Sequence, residues 1–410
     1  MNCPKMIAVL FLLGVQPAWS AEPAAKVEMT EGILAMSNGN NQFATEMYSR
    51  LRSDEPTNLF FSPYSISNAL AMTYVGAAGK TKSQMAEVLH FPKPDSEVTA
   101  AFKLLTTALT SKNEEAGFQL RVANRLWGQN DFQFASDYLN VMQADFNAEM
   151  GLVDFKKTEA ARTSINSWVE EQTDRKIQNL LAPGVLNAAT RLVLTNAIYF
   201  KARWEHEFSK SATTDAPFHI TASQQISIPT MHKTHEFGYF ETAHAKILEL
   251  PYGSDDSLSM LVLLPKKVDG LADLEKQLSS ENLGKWSAGL KSQNVKVQLP
   301  KFKTTSELGL TDVLGAMGMP LAFSDQADFS KMSTQERLTI SAVIHKAFVD
   351  VNEEGTEAAA ATAVAIRATA IFIDPKKTVE FRADHPFVFL IRHNQSKMVL
   401  FLGRLVNPKG

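Results

Sequence analysis

Residues 353–370 read EEGTEAAAATAVAIRATA, and this stretch matches neither a plain helix nor a plain strand. Its alanines favour a helix by propensity, so an exposed amphiphilic helix or a flexible linker is one interpretation. A period of two is also present, and because successive side chains of a strand point to opposite faces, this period favours a strand. The uncharged set comprises Thr356, Ala358, Ala360, Thr362, Val364 and Ile366, and the alternate set comprises Glu357, Ala359, Ala361, Ala363, Ala365 and Arg367.

This alternation predicts a segment that can become a strand with one buried face. The uncharged set can be covered, whereas Glu357 and Arg367 stay in water on the opposite face. Small side chains let such a strand slide between neighbours at a modest cost in strand propensity. Gly355 precedes the run and supplies a hinge, because glycine adopts backbone angles that other residues avoid.

The chain as a whole has the composition of an ordinary globular protein. Of its 410 residues, 45% are hydrophobic and 21% are charged, and the formal net charge is −3. These values exclude the disordered, collagen-like and disulfide-scaffold classes. The basic residues are scattered, so neither a nucleic-acid partner nor a polyanion-binding site is indicated.

The amino terminus predicts a signal peptide over residues 1–20. Lys5 precedes the apolar run Met6–Val15, and Ala18-Trp19-Ser20 offers the small-x-small pattern of a cleavage site. The apolar run is too short to span a bilayer, so no membrane association is expected. We therefore expect a secreted protein, either extracellular or, in a bacterium, periplasmic. Cys3 is the only cysteine, so residues 21–410 contain no disulfide and no thiol.

Helix and strand patterns predict one α+β domain. Apolar spacing favours early helices, for example through Phe43, Met47 and Leu51, and strand candidates are denser in the second half. No Pro/Gly/Ser-rich linker and no internal repeat divides the chain. We therefore expect a single domain over residues 21–410, of the class with helices early and antiparallel strands late.

The templates of enzyme active sites do not match. The sequence has no G-x-S-x-G and no H-E-x-x-H. His232 and His235 flank a short stretch beside Glu236, but Pro229 and Gly238 argue against one helix face, so a solvated loop is favoured over a metal site. We expect no catalytic residues, no cofactor and no metal.

Several ordered motifs together resemble the serpin family over essentially the whole chain from Asn41 to Pro408. They are Asn58-Leu-Phe-Phe-Ser-Pro-Tyr-Ser-Ile-Ser67, Thr195-Asn-Ala-Ile-Tyr-Phe-Lys-Ala-Arg-Trp204, Leu299-Pro-Lys-Phe302, His345-Lys346, the segment Asn352 to Ala361, Asp384-His-Pro-Phe-Val-Phe-Leu-Ile391 and Phe401-Leu-Gly-Arg404. The resemblance implies an α+β fold with about nine helices, one large central sheet, two smaller sheets and an exposed reactive-centre loop, here about residues 353–378.

The resemblance also implies roles for individual residues. Positions matching the hinge of the loop are Glu353, Gly355, Thr356, Ala358 and Ala360. Those matching the "shutter", a polar network beneath the central sheet, are Ser62, Ser65, Asn196 and His345. Trp204 matches the "breach", where the loop first enters the sheet. From the residues alone, Ser62 reads as a helix cap, His345 as a satisfied core histidine and Trp204 as core.

The implied function is suicide inhibition of a serine protease. The protease attacks the loop, forms a covalent acyl complex, and is held when the cut loop inserts as a strand. Relatives that do not inhibit carry bulky, charged or proline residues in the hinge, and none occurs between Thr356 and Ala361 except Glu357 on the outward set. The alternative is a non-inhibitory serpin that acts as a binding or chaperone protein. A monomer is expected in either case.

The reactive bond is expected between Thr369 and Ala370, fourteen positions past Gly355, as is usual in the resembling family. A small uncharged residue there suits the shallow pocket of an elastase-like or subtilisin-like protease. The alternative is Arg367, which would suit a trypsin-like protease. Asn394-Gln395-Ser396 is a lone glycosylation sequon.

Overall fold

The computed structural model describes residues 29–52, 57–110, 118–333, 337–356 and 378–410. In these residues the chain forms nine α-helices and two short 3-10 helices. The α-helices are α1 (Glu31–Leu51), α2 (Pro63–Gly76), α3 (Gly79–Leu89), α4 (Asp95–Thr110), α5 (Ser136–Phe146), α6 (Thr158–Gln172), α7 (Leu271–Lys276), α8 (Ser280–Gly289) and α9 (Thr311–Met317). The 3-10 helices are Lys210–Ala212 and Pro320–Phe323. No helix in the described ranges is both long and apolar enough to cross a membrane.

Fifteen strands lie in the same residues and are concentrated in the second half, as the sequence predicts. They are β1 (Leu59–Phe61), β2 (Phe118–Gln129), β3 (Gly151–Val153), β4 (Leu192–Arg203), β5 (Thr214–His219), β6 (Gln225–Glu241), β7 (Ala245–Tyr252), β8 (Leu258–Pro265), β9 (Lys291–Pro300), β10 (Phe302–Gly309), β11 (Ala342–Asn352), β12 (Gly355–Thr356), β13 (Val379–Arg382), β14 (Phe387–His393) and β15 (Val399–Leu405). The expected α+β class is confirmed.

The strands form two hydrogen-bonded sheets. A six-stranded sheet has the order β10-β11-β12-β4-β2-β3, with β11 also pairing directly with β4, and nine strands form the second sheet. Two smaller sheets were expected beside the large one, but here they share the long strand β6. Its first part pairs with β5 and its last part with β7, so the two ladders join into one.

Helix α2 forms the centre of the core because it is apolar on nearly all sides. Thirteen of its fourteen residues are buried, which is the pattern of a helix enclosed by other elements. Ser62 caps its first turn by accepting from the Ser65 amide at 3.1 Å, and Pro63 follows at the first helical position. The sequence motif around Ser62 therefore fixes where α2 begins beneath the six-stranded sheet.

Helix α6 packs on the six-stranded sheet across the strands β4 and β11. Its Ile165 shares an apolar cluster with Val193 of β4 and Ala342 of β11. Helix α6 ends at Gln172. Thr173 ends it, because its hydroxyl donates to the Val169 carbonyl at 2.8 Å and accepts the Ile177 amide at 3.3 Å.

Candidate functional site

Strands β4 and β11 meet along a parallel ladder that is closed at one end and open at the other; we call this junction the seam. Direct pairing runs from Ala342↔Val193 to Phe348↔Tyr199. Beyond that point β12 lies between the two strands. Thr356 pairs with Val351 on one side and with Ala202 on the other, so the six-stranded sheet already contains the start of an intervening strand.

Gly355 and Thr356 occupy this gap because of their size and conformation. A Cβ on Gly355 would lie 1.9 Å from the Ala202 carbonyl oxygen, and its φ of +153° is one that other residues rarely adopt. Thr356 is fully buried, and its hydroxyl oxygen lies 2.6 Å from the Tyr252 hydroxyl. Of the predicted hinge residues, Glu353, Gly355 and Thr356 thus lie together at the open end of the seam.

Trp204, the predicted breach residue, lies beside the same gap. Its ring nitrogen donates to the Asn352 carbonyl at 2.9 Å, and its ring stacks on Tyr252 with centroids 4.4 Å apart. Its backbone amide donates to the Glu354 carbonyl, and the Phe208 amide donates to the Glu353 carbonyl, both at 2.9 Å. We call residues 204–208 the clasp, because these bonds fix the turn that leads into the hinge.

Glu353 anchors the hinge electrostatically. Its carboxylate lies 2.8 Å from the Lys301 ammonium and accepts the Thr213 hydroxyl at 2.8 Å. Burial acts to raise the pKa of Glu353, but the hydrogen bonds from Lys301, the backbone and Thr213 outweigh it and hold the pKa below its usual range. The group is therefore ionised at neutral pH.

The predicted shutter residues form one buried network at the closed end of the seam. His345 and Asn196 face each other across the ladder and are hydrogen bonded through Nδ1 and Oδ1. The Asn196 amide nitrogen donates to the Ser65 carbonyl at 2.8 Å and to its hydroxyl at 2.6 Å. The Ser62 amide donates to His345 Nε2 at 3.1 Å, and the Ser62 hydroxyl donates to the Leu400 carbonyl at 2.6 Å.

These contacts define the tautomer of His345. Since Nε2 accepts the Ser62 amide, the proton lies on Nδ1 and is donated to Asn196 Oδ1. Complete burial lowers the pKa of His345 from 6.5 to about 3. The imidazole is therefore neutral at physiological pH, and the network carries no charge.

Asn124 of β2 belongs to this network but was not among the predicted site residues. Its Oδ1 accepts the Asn196 amide nitrogen and the Ser65 hydroxyl, the latter at 3.1 Å, and its amide nitrogen donates to the Ser65 carbonyl at 3.1 Å. Asn124, Asn196 and His345 occupy one row across β2, β4 and β11. The available signal was a lone asparagine inside a predicted strand, which needs partners when it is buried.

The remaining predicted loop residues lie outside the described residues. They are Ala358, Ala360, Arg367, Thr369 and Ala370. The expected signal peptide, residues 1–20, also lies outside them. Asn394 is described and is buried: its amide nitrogen donates to the Asp256 carbonyl at 3.0 Å and its Oδ1 accepts the Ser259 hydroxyl at 2.7 Å. A glycan cannot be attached to this nitrogen in the folded protein without breaking these contacts.

Comparisons with known proteins agree with this architecture. The family model "Serpin (serine protease inhibitor)" matches residues 38–408. The chain is 43% identical to the leukocyte elastase inhibitor of Bos taurus over 383 residues, and 42% identical to leukocyte elastase inhibitor A of Rattus norvegicus over 384 residues. Each alignment covers 91% of this chain and 99% of the relative.

A solved structure gives the same result. The crystal structure of Serpin48, described as a highly specific serpin in the insect Tenebrio molitor, superposes with a TM-score of 0.82 at 34% identity. That match covers 91% of this chain and 98% of the other. The chain belongs to the serpin family, and the resemblance inferred from its motifs is confirmed. The family is one of serine protease inhibitors rather than of enzymes.

The expected secreted location is wrong by the same comparison. The relatives that match along 99% of their own length are leukocyte elastase inhibitors, which are intracellular serpins without a signal peptide. The prediction depended on Lys5, the apolar run Met6–Val15 and the small-x-small pattern Ala18-Trp19-Ser20, and relatives aligned over nine-tenths of the chain overturn it. A secreted or periplasmic location is therefore not retained.

Proposed function

We propose that this serpin is a suicide inhibitor of elastase-like serine endopeptidases. It would present its loop, about residues 353–378, as a substrate and then hold the protease as a covalent acyl complex. Relatives at 40–43% identity named leukocyte elastase inhibitors support the target class. The alternative, a non-inhibitory serpin that binds or chaperones another molecule, is not favoured by these relatives.

The observation that carries the proposal is the position of β12 between β4 and β11. Thr356 runs antiparallel to Ala202 on one side and to Val351 on the other. A strand continued from Thr356 would be antiparallel to both neighbours along the whole seam. Its insertion requires β4 and β11 to separate by about one further strand spacing, roughly 4.8 Å.

Separation of the two strands has to break the side-chain bridge at the closed end. The Asn196–His345 bond crosses the seam, whereas the bonds from Asn196 to Ser65 and Asn124 lie on the β4 side. Because these groups are neutral, they can exchange partners without exposing a buried charge. Ser62, Ser65, Asn196 and His345 would thus act as the shutter, and Trp204 as the breach.

The chemistry of the trap belongs to the protease. Its serine attacks the carbonyl carbon of Thr369, the bond to the Ala370 nitrogen breaks, and an ester to the Thr369 acyl group remains. Insertion of the uncharged set, with Ala358 and Ala360 facing inward, would carry the esterified enzyme away before water can attack. Thr369 suits an elastase-like or subtilisin-like pocket; Arg367 remains the alternative reactive residue, with a trypsin-like target.

We further propose that residues 21–410 act as a single domain and as a monomer. The family match spans residues 38–408 without a break, and one apolar cluster joins α1, α2 and strands of both sheets. Nothing in the proposed mechanism requires a second copy of the chain.

The test is incubation with a chymotrypsin-fold elastase, with trypsin as the matched alternative. We expect a denaturant-resistant complex of serpin and elastase on a denaturing gel and a released peptide that begins at Ala370. A released peptide beginning at Ala368 in a trypsin complex would move the reactive bond to Arg367. Complete cleavage with no complex would support the non-inhibitory alternative instead.

A further inference from the structure

Two histidines stack beside the clasp, outside the shutter and the hinge. The rings of His206, within residues 204–208, and His235, on β6, have centroids 3.8 Å apart and an interplanar angle of 32°. Both side chains are half-buried, and Phe237 lies against both rings. The sequence favoured a solvated loop around His232 and His235, but these residues belong to the strand β6.

The pair differs from the two histidines whose pKa burial lowers most. All nine histidines lie in the described residues. Burial lowers the pKa of His345 to about 3 and that of His393 to about 4, so neither titrates near neutrality. His235 Nδ1 donates to the Glu236 carbonyl at 3.0 Å, which leaves its Nε2 to accept a proton. Between half-exposed rings this close, a second positive charge is strongly disfavoured.

The charges around the pair do not compensate for a double protonation. Burial, His235 and Lys233 lower the pKa of His206, and the nearby Glu205 raises it, with a net lowering. Glu207 is engaged by Arg203 at 2.7 Å, and Lys233 donates to the Glu207 carbonyl at 2.9 Å. On the neighbouring strand β9, the charged group near this part of β6 is Lys296, which lowers the pKa of His232. Within the described residues, no carboxylate forms an ion pair with either ring.

The two ends of the clasp are held unequally. Trp204 stacks on Tyr252, and the next amide, Glu205, donates to the Pro251 carbonyl at 3.0 Å. On the other side of His206, the Phe208 amide donates to the Glu353 carbonyl at 2.9 Å. Phe208 makes only an edge contact with Trp204, at 6.3 Å between centroids, so we expect displacement of the His206 ring to weaken the Phe208–Glu353 bond more than the Trp204–Glu354 bond.

We propose that His206 and His235 form an acid-sensitive latch. It holds the hinge at neutral pH, and it releases the Phe208 amide from the Glu353 carbonyl when both rings are protonated. This regulation rests on the proposed function, since it acts on the hinge that the inhibitor uses. A pKa that is lower in the closed latch than in the open one means that the open form binds more protons. The latch is therefore fully stable above about pH 6.5 and weakens as the pH falls below that value.

Hydrogen–deuterium exchange with single-amide resolution tests the latch without any protease. From pH 7.5 to 5.5, after correction for the intrinsic pH dependence of exchange, we expect protection of the Phe208 amide to fall by about tenfold. Each pH unit over which the open form binds one more proton than the closed form changes the equilibrium about tenfold. Protection of the Trp204 amide should fall much less, which makes it the internal control.

Variants separate the charge from the packing. His235→Phe keeps a stacked ring without charge and should remove the pH dependence at Phe208, and His206→Gln should do the same if the first variant folds poorly. His235→Lys should show low protection at Phe208 already at pH 7.5. The matched control is His244→Phe, since His244 is exposed in the turn after β6, and it should behave like the unmodified protein.

Unchanged protection of Phe208 in the unmodified protein, or an equal loss in His235→Phe, would overturn the proposal. Failure to form a complex with elastase at pH 7.5 concerns the proposed function alone, because the exchange measurement does not depend on it.

Discussion

The closed and open ends of the seam are held by different kinds of interaction. At the closed end, neutral side chains bridge β4 and β11: the His345 imidazole donates to Asn196, which in turn binds Ser65 and Asn124. At the open end, a charged carboxylate, an aromatic stack and backbone bonds hold the turn before Gly355. In the proposed mechanism, the closed end exchanges partners when the strands separate, and the open end keeps the incoming strand in register before they do.

The free-energy cost of breaking the contacts also differs between the two ends. Breaking a buried ion pair leaves a charge in the core, which is far more costly than exposing a neutral hydrogen-bonding group. The side-chain bridge across the part of the seam that would open is therefore uncharged. Lys346, which lies in the same ladder, pairs with Glu307 of β10 rather than with β4, and the charged pair Glu353–Lys301 lies at the open end.

The largest effect is expected for Ala360→Arg, with Ala359→Arg as its matched control. The alternation of residues 356–367 places Ala360 on the face that becomes buried and Ala359 on the face that stays in water. An unpaired charge on the buried face costs several kcal/mol, roughly, so Ala360→Arg should be cleaved by elastase without forming a complex. Ala359→Arg should still form the complex on a denaturing gel. Equal yields for the two variants would show that the faces are wrongly assigned.

The next effect concerns the closed end. Asn196→Ala leaves His345, Ser65 and Asn124 each short of a partner, so we expect the intact protein to lose about 3 kcal/mol of unfolding free energy, measured by denaturant titration. After cleavage and insertion the Asn196–His345 bridge is already broken, and the loss should be smaller. Asn166→Ala is the control, because Asn166 pairs with the Leu181 backbone away from this network. Its cost should be the same in intact and cleaved protein.

The sequence predicted some residues at the two ends of the seam and missed others, depending on whether a motif or a periodic pattern includes them. Ser62, Ser65, Asn196 and His345 came from matching motifs, and the structure brings them into one network. Asn124 was missed, because a single asparagine in a strand gives no indication of its partners before the register of β2 against β4 is known. Propensity alone would have assigned residues 353–370 to a helix, and only the period of two predicted a strand.

Tertiary contacts explain what the sequence could not supply at the open end. Lys301, Thr213 and Tyr252 reach the hinge from three separate elements, and none of them belongs to a local pattern that points to Glu353 or Thr356. The stack of His206 on His235 likewise joins two segments about thirty residues apart. Such pairs depend on the packing of one sheet on another, which periodicity does not encode.

The third prediction is the pH dependence of the closed end. The pKa of His345 is about 3 in the folded protein against 6.5 for an ordinary histidine, so the unfolded chain binds more protons over that interval. Its contribution to stability is complete above about pH 6.5 and is lost as the pH falls towards 3. Between pH 6.5 and 5.0 the unfolding free energy should fall by up to about 2 kcal/mol from this residue.

The measurement is the denaturant midpoint at several pH values for the unmodified protein and for His345→Asn. Other titrating groups, His206 and His393 among them, are common to both proteins, so the difference in slope isolates His345. Parallel curves would mean that His345 titrates at its ordinary pKa and that water reaches its side chain.

The smallest effect is expected at the buried hydroxyl pair of the open end. Thr356 and Tyr252 share one hydrogen bond of 2.6 Å, and both side chains are fully buried. Thr356→Val leaves the Tyr252 hydroxyl without this partner and should cost about 1 kcal/mol, and Tyr252→Phe should cost a similar amount. In the double variant neither polar group remains, so its total cost should be smaller than the sum of the two single costs.

Hydrogen–deuterium exchange of residues 352–356 measures the same contact locally. Their protection should fall in each single variant, while protection at the closed end, residues 342–348, is unaffected. Additive costs in the cycle would mean that the hydroxyl pair does not hold the hinge, and the open end would then depend on the Glu353–Lys301 pair and the clasp alone.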